Sequence, residues 1–268
     1  MKTEIRDIKE YYDKNVIGKL KGFVYGNPRV ERAWQEVNNW IMSPPKQILE
    51  IGCGIGDISY RISQKFPEAT VVGFDVSERS INIANQIFQS PNLRFVLADD
   101  ISLIKGSEAK YDIIYMIDVF EHIPVEVRSN LYAYVKNNLK EDGFVFFSCP
   151  TVAHQEFLRK NNPGGLQPID EDITIETVLE FSNQTQVPLV FYKEVSVWNK
   201  GDYLHAVLAK RKYAPFSDKV IPRQKTIKRL LYEKYLKVDK HLDQKEVNDR
   251  LRLIREKVGE EVYSSVKS

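Results

Sequence analysis

Five short apolar segments, most of them separated by helical patterns, constrain the fold of this chain more than any other feature. The segments are QILEI at 47–51, TVVGF at 70–74, LRFVL at 93–97, YDIIYMI at 111–117 and GFVFFSC at 143–149. The helical stretches lie near 56–66, 78–89 and 125–140. Hydrophobic strands that alternate with helices are typical of a parallel sheet buried on both faces. We therefore predict an α/β, Rossmann-like fold.

Two further strands extend this sheet. They are expected at about 188–198 and 202–210, after a helix at 173–186, and only Asn199 to Gly201 separate their most apolar parts. So short a connection joins antiparallel strands, because a parallel pair needs a crossover of a dozen residues or more. The sequence thus predicts a seven-stranded, mostly parallel sheet with one antiparallel strand.

Helical segments flank the predicted sheet at both ends. Helices at 3–15 and 28–42 form an N-terminal cap over residues 1–44, and the core occupies 45–212. An extension over 213–268 contains a helix at about 222–238 and a second helix that carries an amphipathic stripe. The stripe consists of Val247, Leu251, Ile254 and Val258. We expect the extension to pack on the core or on a second subunit, and a homodimer through these helices is possible.

Composition and charge restrict the class of protein. The hydrophobic fraction is 43%, the charged fraction is 28%, and no apolar run has the ~20 residues that cross a bilayer. The N-terminus is charged and lacks the apolar stretch of a signal peptide. The two cysteines, Cys53 and Cys149, fit a reducing compartment, so we predict a cytoplasmic protein. The histidine spacings do not resemble a zinc site.

A glycine-rich turn follows the first strand in LEIGCGIGDIS. Gly52, Gly54 and Gly56 occupy the position where an open parallel sheet binds its ligand. Glu50 and Asp57 flank this turn, and an acid stands where the dinucleotide fingerprint has its third glycine. Carboxylates repel a pyrophosphate, and no Gly-Lys-Ser/Thr of a P-loop follows. The turn therefore favours a nucleoside with a zwitterionic or cationic remainder.

Acids end the next two strands. Asp75 follows Gly56 by 19 positions and can accept hydrogen bonds from both ribose hydroxyls, and Val76 can cover one face of a purine. Asp99 and Asp100 end the third strand, where either carboxylate can accept from an exocyclic adenine amine. Together with the glycine turn, these residues predict a site for an adenine nucleoside.

The fourth strand ends in YMIDVFEHIP and delivers Asp118, Glu121 and His122 to the same rim of the sheet. Acids at this position favour a sulfonium and an ammonium group over a phosphate. We predict no metal requirement, with these three side chains as the alternative site for magnesium.

The motifs in order resemble the class I S-adenosylmethionine-dependent methyltransferases over roughly residues 45–211. They are ILEIGCGIGDIS, VVGFDVSERSINIAN, FVLADDIS, YDIIYMIDVFEHIP and LKEDGFVFFSCP. The last two are most similar to the small-molecule branch that includes ubiquinone and menaquinone biosynthesis enzymes. The resemblance implies S-adenosylmethionine as cofactor and does not specify the methyl acceptor.

The resemblance also implies a role for each motif residue. Backbone at Gly52, Cys53, Gly54 and Gly56 approaches the methionine part, and Glu50 helps to hold its amine. Asp75 binds the ribose. Val76 and Ile101 flank the adenine, and the carboxylate of Asp99 or Asp100 accepts a hydrogen bond from the adenine amino group. The methionine amine faces the backbone at Ile117, with Val119 nearby.

The N-terminal cap and two histidines supply the remaining candidates. Tyr11, Tyr12, Tyr25 and Arg29 can cover the nucleoside or its carboxylate; Tyr25 and Arg29 are predicted on the cofactor side and Tyr12 on the substrate side. His122 and His154 are the candidate general bases, although His122 can instead brace the loop after the fourth strand. The polar segment 159–174 is a candidate lid, in which Asp170 and Glu171 bind acceptor hydroxyls or Asp170 caps the following helix. Asp118 is a further candidate for substrate binding.

The leading hypothesis is methyl transfer to a hydroxyl of a sugar, glycan or specialised metabolite, with a small amine as the alternative acceptor. A nucleic-acid methyltransferase would need a Pro-Cys or an Asn/Asp-Pro-Pro-aromatic run after the fourth strand, and neither is present. Residues 210–268 hold 17 Lys and Arg against 9 Asp and Glu, but such charge binds phosphates only nonspecifically. A non-catalytic scaffold that recruits a partner through this tail is the alternative of another class.

Overall fold

The computed structural model describes residues 5–41, 43–98, 110–210 and 242–268. Its strands are β1 (Gln47–Ile51), β2 (Thr70–Asp75), β3 (Leu93–Leu97), β4 (Tyr111–Ile117), β5 (Leu139–Pro150), β6 (Leu189–Val195) and β7 (Tyr203–Ala209). Its α-helices are α1 (Ile5–Lys14), α2 (Val16–Tyr25), α3 (Pro28–Trp40), α4 (Asp57–Lys65), α5 (Glu78–Ile87), α6 (Arg128–Asn138), α7 (Val152–Asn161), α8 (Ile175–Thr185), α9 (Gln244–Lys257) and α10 (Glu260–Lys267).

The strands form one sheet in the order β3-β2-β1-β4-β5-β7-β6. β1 pairs in parallel with both β2 and β4, whereas β7 runs antiparallel to β5 and β6. The predicted fold class is therefore confirmed, including the single reversed strand. From β1 the chain continues to β2 on one side of β1 and later returns to form β4 on the other side. The direction in which strands are added therefore reverses at β1, and the carboxyl ends of β1, β2 and β4 open onto one crevice.

Alternating side chains of the strands fill a separate apolar layer on each face of the sheet. Leu49 and Ile51 of β1 enter the layer beneath α6 and α8, while Ile48 enters the layer beneath α3 and α4. Glu50 shares the face of Ile48, since side chains two apart along a strand point the same way. This geometry places an acid inside the layer that α4 covers.

The two ends of the chain pack on one another. The apolar face of α2 forms a third cluster with α5, α9 and α10, in which Val247, Ile254 and Val266 are buried. Arg250 of α9 donates to the carbonyl oxygen of Phe23, and its guanidinium carbon lies 4.7 Å from the centre of the Phe23 ring. The extension thus packs on its own chain, as one of the two sequence alternatives expected, and a homodimer stays a prediction.

Three α-helices of the structure were not predicted: α2, α7 and α10. The segment of α2 contains two glycines and three β-branched residues, which disfavour a helix, yet packing against α5, α9 and α10 stabilises it. α7 occupies the start of the segment predicted as a lid. The predicted helix at 222–238 lies outside the described residues, and the domain boundaries at 44 and 212 remain predictions. Within the described ranges no helix is long and apolar enough to cross a membrane.

His205 of β7 makes stability depend on pH. The ring is 1% exposed, neither nitrogen has a hydrogen-bond partner, and burial, with Lys193 and Arg32, lowers the pKa from 6.5 to about 4. A depressed folded-state pKa gives stability that is complete above pH 6.5 and lost as the pH falls towards 4. We expect the free energy of unfolding to fall by about 3 kcal/mol more in the native protein than in His205→Leu across this window. Urea titrations of both proteins at several pH values measure the difference, and parallel pH curves would contradict the prediction.

Candidate functional site

A cavity of about 510 Å³ lies at the carboxyl ends of β1, β2 and β4 and is covered by α2 and the start of α3. Most of the predicted site residues within the described ranges line it. They are Tyr12, Arg29, Glu50, Gly52, Cys53, Gly54, Asp75, Val76, Ile117, Asp118, Val119 and His122. Its size is that of sites that enclose a small molecule.

The glycine turn has a backbone that only glycine adopts easily. Gly52, Gly54 and Gly56 all have positive φ, at 72°, 55° and 86°. A Cβ at Gly52 would lie 2.3 Å from a methyl group of Val119, so the close approach of two cavity walls also requires glycine there. Gly56 does not line the cavity; it precedes α4 and packs against the Phe95 ring. Its approach to the cofactor therefore stays a prediction, and its packing gives it a structural role in addition.

Asp75 ties the end of β2 to this turn. One carboxylate oxygen accepts from the amide of Gly54 at 2.7 Å, and the other accepts from the amide of Ser77 at 2.8 Å. The side chain is buried but lines the cavity. Because each carboxylate oxygen can accept more than one hydrogen bond, Asp75 can still receive the two hydroxyls of a ribose.

Glu50 is a buried carboxyl beneath the glycine turn. Ser59 and Tyr115 both donate hydroxyl hydrogen bonds to one of its oxygens, the latter at 2.9 Å. Burial raises the pKa of Glu50 to about 8, although both hydrogen bonds oppose the shift. A cation bound beside this carboxyl would lower its pKa again, because the charge favours the ionised form. The site is thus suited to a positively charged group.

Arg29 and Asp118 form an ion pair in the wall of the cavity. Arg29 Nε lies 2.6 Å from Asp118 Oδ2, and Arg29 Nη1 donates to the Tyr203 hydroxyl at 3.2 Å. Burial raises the pKa of Asp118, while the Arg29 charge opposes this shift. The other oxygen, Asp118 Oδ1, is buried without a hydrogen-bond partner. Arg29, predicted to bind the cofactor carboxylate, is therefore already engaged by a carboxylate of the protein.

His122 is held by its Nδ1 side. Nδ1 lies 2.7 Å from the carbonyl oxygen of Ile169 and 3.1 Å from Asp170 Oδ1, whereas Nε2 has no hydrogen-bond partner. Burial alone would lower the pKa of His122, but Glu121 and Asp170 outweigh it and raise the pKa to about 9. The ring of Tyr12 stands edge-on at 6.3 Å. His122 Nε2 lies 3.5 Å from Glu121 Oε1, so the ring is firmly oriented and Nε2 is near a carboxylate without being hydrogen-bonded.

Three other candidates do not line the cavity. The ring of His154 lies beside those of Phe157 and Trp198, at centroid distances of 6.5 and 6.3 Å. Tyr25 at the end of α2 is 46% exposed, and Glu171 donates its amide to the Glu121 carbonyl oxygen.

Asp170 does not cap the following helix, because Thr174 accepts from the amide of Thr177 in that role. The Asp170 carboxylate instead contacts His122 and the Gln167 amide. Asp99, Asp100 and Ile101 lie outside the described residues. Across the described ranges, no group of three His, Cys, Asp or Glu side chains is arranged to hold a metal ion.

One face of α2 belongs to the site and was not predicted. Asn15, just before the helix, and Gly18, Lys19 and Gly22 within it line the cavity. Their spacing of three, four and seven residues is that of one helical face, so the pattern was present in the sequence. It was missed because the opposite face, rather than this one, is apolar.

Comparison with known proteins identifies the central part of the chain. Residues 48–143 match the family model of a methyltransferase domain. A malonyl-[acyl-carrier protein] O-methyltransferase of Halalkalibacterium halodurans is 32% identical over 109 residues, which cover 39% of this chain and 39% of that protein. The chain thus matches about two fifths of that relative.

Longer similarities extend beyond this region. A phosphoethanolamine N-methyltransferase of Plasmodium falciparum is 26% identical over 208 residues, covering 73% of this chain and 77% of that protein. The solved magnesium protoporphyrin IX methyltransferase of Synechocystis, with bound SAH, has a TM-score of 0.60 at 18% identity and covers 78% of this chain and 100% of its own. The resemblance inferred from the motifs is confirmed: residues 48–143 match the model of a methyltransferase domain, and the chain has the fold of the solved methyltransferase with bound SAH.

Proposed function

We propose, from the methyltransferase domain at residues 48–143 and the cavity beside it, that this protein is an S-adenosylmethionine-dependent methyltransferase of a small molecule. One observation carries the proposal. The Asp75 carboxylate and the backbone of the Gly52–Gly54 turn line the same cavity at the switch point of the sheet. A nucleoside with an amino-acid part needs both features.

The chemistry of the cavity fits this cofactor. Asp75 offers acceptors to ribose hydroxyls, and the Glu50 carboxyl and the unpartnered Asp118 Oδ1 suit positive charge. When bound, S-adenosylmethionine supplies an electrophilic methyl group on a sulfonium. Glu50 would help to hold the amine of its methionine part, and Val76 would lie against its adenine.

The acceptor side of the cavity is built for a ligand that donates hydrogen bonds. Asp118 Oδ1 and His122 Nε2 both lack a hydrogen-bond partner, and deprotonated His122 can remove a proton from an acceptor hydroxyl. Arg29 is paired with Asp118, so it does not offer a free charge to an anionic acceptor. We therefore favour a hydroxyl acceptor, such as a sugar, glycan or specialised metabolite, in a cytoplasmic enzyme without nucleic acid as substrate.

A small amine is the second candidate acceptor. The relative that aligns with 73% of this chain, and so extends well beyond residues 48–143, is a phosphoethanolamine N-methyltransferase. An amine needs only to arrive unprotonated, and buried carboxylates such as Asp118 attract it.

Isothermal titration with S-adenosylmethionine, its demethylated product and NAD tests the proposed cofactor. We expect heat with the two sulfur compounds and none with NAD. A screen of hydroxylated metabolites, glycans and small amines for a gain of one methyl group by mass then separates the two acceptor classes. Lack of binding of both sulfur compounds would contradict the proposed function.

Asp75→Asn is expected to weaken the binding of S-adenosylmethionine about 10- to 100-fold, because it replaces one ionised acceptor oxygen by a donor. The matched control is Glu78→Gln, which removes the same charge from an exposed position three residues away. Titration calorimetry measures the affinities, and thermal unfolding checks that both variants fold. If Asp75→Asn binds as tightly as Glu78→Gln, the ribose role is wrong.

A further inference from the structure

On the side of α2 that faces the cavity, two glycines flank one long side chain. Lys19 stands between Gly18 and Gly22 on this face. Glycine costs a helix about 1 kcal/mol relative to alanine, and a ten-residue helix with two of them relies on packing elsewhere. The opposite face supplies this packing through Val16, Leu20 and their neighbours in the third cluster. The glycines therefore leave space next to Lys19 at a local cost in helix stability.

Lys19 reaches the glycine turn. A Cβ at Gly54 would lie 3.3 Å from both Cδ and Nζ of Lys19, so the side chain lies directly over the turn. Its ammonium group is also 5.3 Å from the centre of the Tyr12 ring, which keeps the side chain inside the cavity. The cation of Lys19 thus lies against the backbone expected to approach the methionine part of the cofactor.

The pairing of charges singles out Lys19. Among the described residues, the cavity is lined by four side chains that can carry a positive charge, those of Lys19, Arg29, Arg61 and His122. His122 is paired with Glu121 and Asp170. Arg29 is paired with Asp118, and Arg61 is paired with both Asp57 and Glu31. Within the same described ranges, Lys19 is the one lining cation whose ammonium has no carboxylate within ion-pair distance. It is free to receive an anionic group from a ligand.

We infer that Lys19 binds the carboxylate of the amino-acid part of the cofactor, the role that the sequence suggested for Arg29. This inference rests on the proposed function. A carboxylate next to the Gly52–Gly54 turn would lie close to the carboxylate of Asp75, and Lys19 supplies a compensating positive charge from the cap. The cap thereby selects ligands that carry the complete amino acid.

Binding of two cofactor analogues to Lys19→Met tests the inference. S-adenosylhomocysteine has the amine and the carboxylate, whereas S-adenosyl-3-thiopropylamine keeps the amine and lacks the carboxylate. We expect Lys19→Met to weaken the first about 10- to 100-fold, because a charge-assisted hydrogen bond is lost, and to leave the second within about twofold. Lys21→Met, on the same helix but outside the cavity lining, is the matched control and should change neither.

The outcomes separate the inference from the proposed function. Unchanged affinity of Lys19→Met for S-adenosylhomocysteine, or an equal loss for both analogues, would overturn the role of Lys19 alone. Failure of the unsubstituted protein to bind S-adenosylhomocysteine would overturn the proposed function and this inference with it. Circular dichroism and thermal unfolding show whether each variant is folded.

Discussion

Replacing His122 by alanine is expected to lower the turnover number about 10²- to 10⁴-fold and to leave the affinity for S-adenosylmethionine nearly unchanged. His122 lines the cavity, and its Nε2 is unpartnered while Asp170 and the Ile169 carbonyl oxygen hold Nδ1. With a pKa of about 9, the ring is mostly protonated at neutral pH, so turnover on a hydroxyl acceptor should rise with pH up to about 9. His122→Ala should lose this rise.

His154→Ala is the matched comparison, since both variants remove one imidazole from the loops after neighbouring strands. The His154 ring lies beside Phe157 and Trp198 outside the cavity lining, so we expect its removal to change turnover by less than about threefold. Steady-state kinetics over pH 6 to 10 and titration calorimetry provide the two readouts. Equal losses in both variants, or full activity of His122→Ala, would refute base catalysis by His122.

Gly52→Ala is expected to abolish measurable cofactor binding and to lower the free energy of unfolding by about 2–6 kcal/mol. The added methyl group would lie 2.3 Å from a Val119 methyl, at a residue whose φ is 72°. Overpacking costs about 1–3 kcal/mol, and a non-glycine residue in the left-handed region costs about 1–3 kcal/mol more. Urea unfolding measures the loss of stability, and calorimetry measures binding.

Two further variants separate the clash from the backbone strain. The double variant Gly52→Ala/Val119→Ala removes the colliding methyl groups and should regain about 1–3 kcal/mol relative to the single variant. Gly54→Ala meets only the flexible Lys19 side chain at 3.3 Å and should be destabilised less than Gly52→Ala. If the double variant is no more stable than Gly52→Ala, the contact with Val119 is not the cause.

The sheet could be predicted because each of its central strands is apolar on both faces. β1, β2 and β4 then bring the glycine turn, Asp75 and Asp118 to one edge whatever the details of packing. This is why most of the cofactor residues proposed from the motifs line a single cavity. Their placement follows from strand order alone, and strand order follows from the alternation of strands and helices.

The parts that were missed depend on how helices pack. Arg29 and Asp118 are 89 positions apart in sequence, and they form an ion pair only because the start of α3 lies next to the end of β4. α2 is a poor helix former by composition and is stabilised by residues as distant as Val266. His154 is on α7, which was not predicted as a helix, and its ring lies 5.7 Å from that of Tyr203 rather than in the cavity lining. Contacts of this kind join residues that are far apart in the sequence, so no local sequence pattern predicts them.

The contact between α2 and the α9–α10 pair has a consequence for the newborn chain. Once the ribosome has translated residues up to Ala209, the nascent chain contains the seven described strands of the sheet and the glycine turn. α2 then still lacks Val247, Ile254 and Val266, which lie later in the sequence. Domains generally fold as the chain emerges from the ribosome, so the sheet can form before the residues of α9 and α10 that pack against α2 have been synthesised. We therefore expect tight binding of the cofactor only after α10 has been translated.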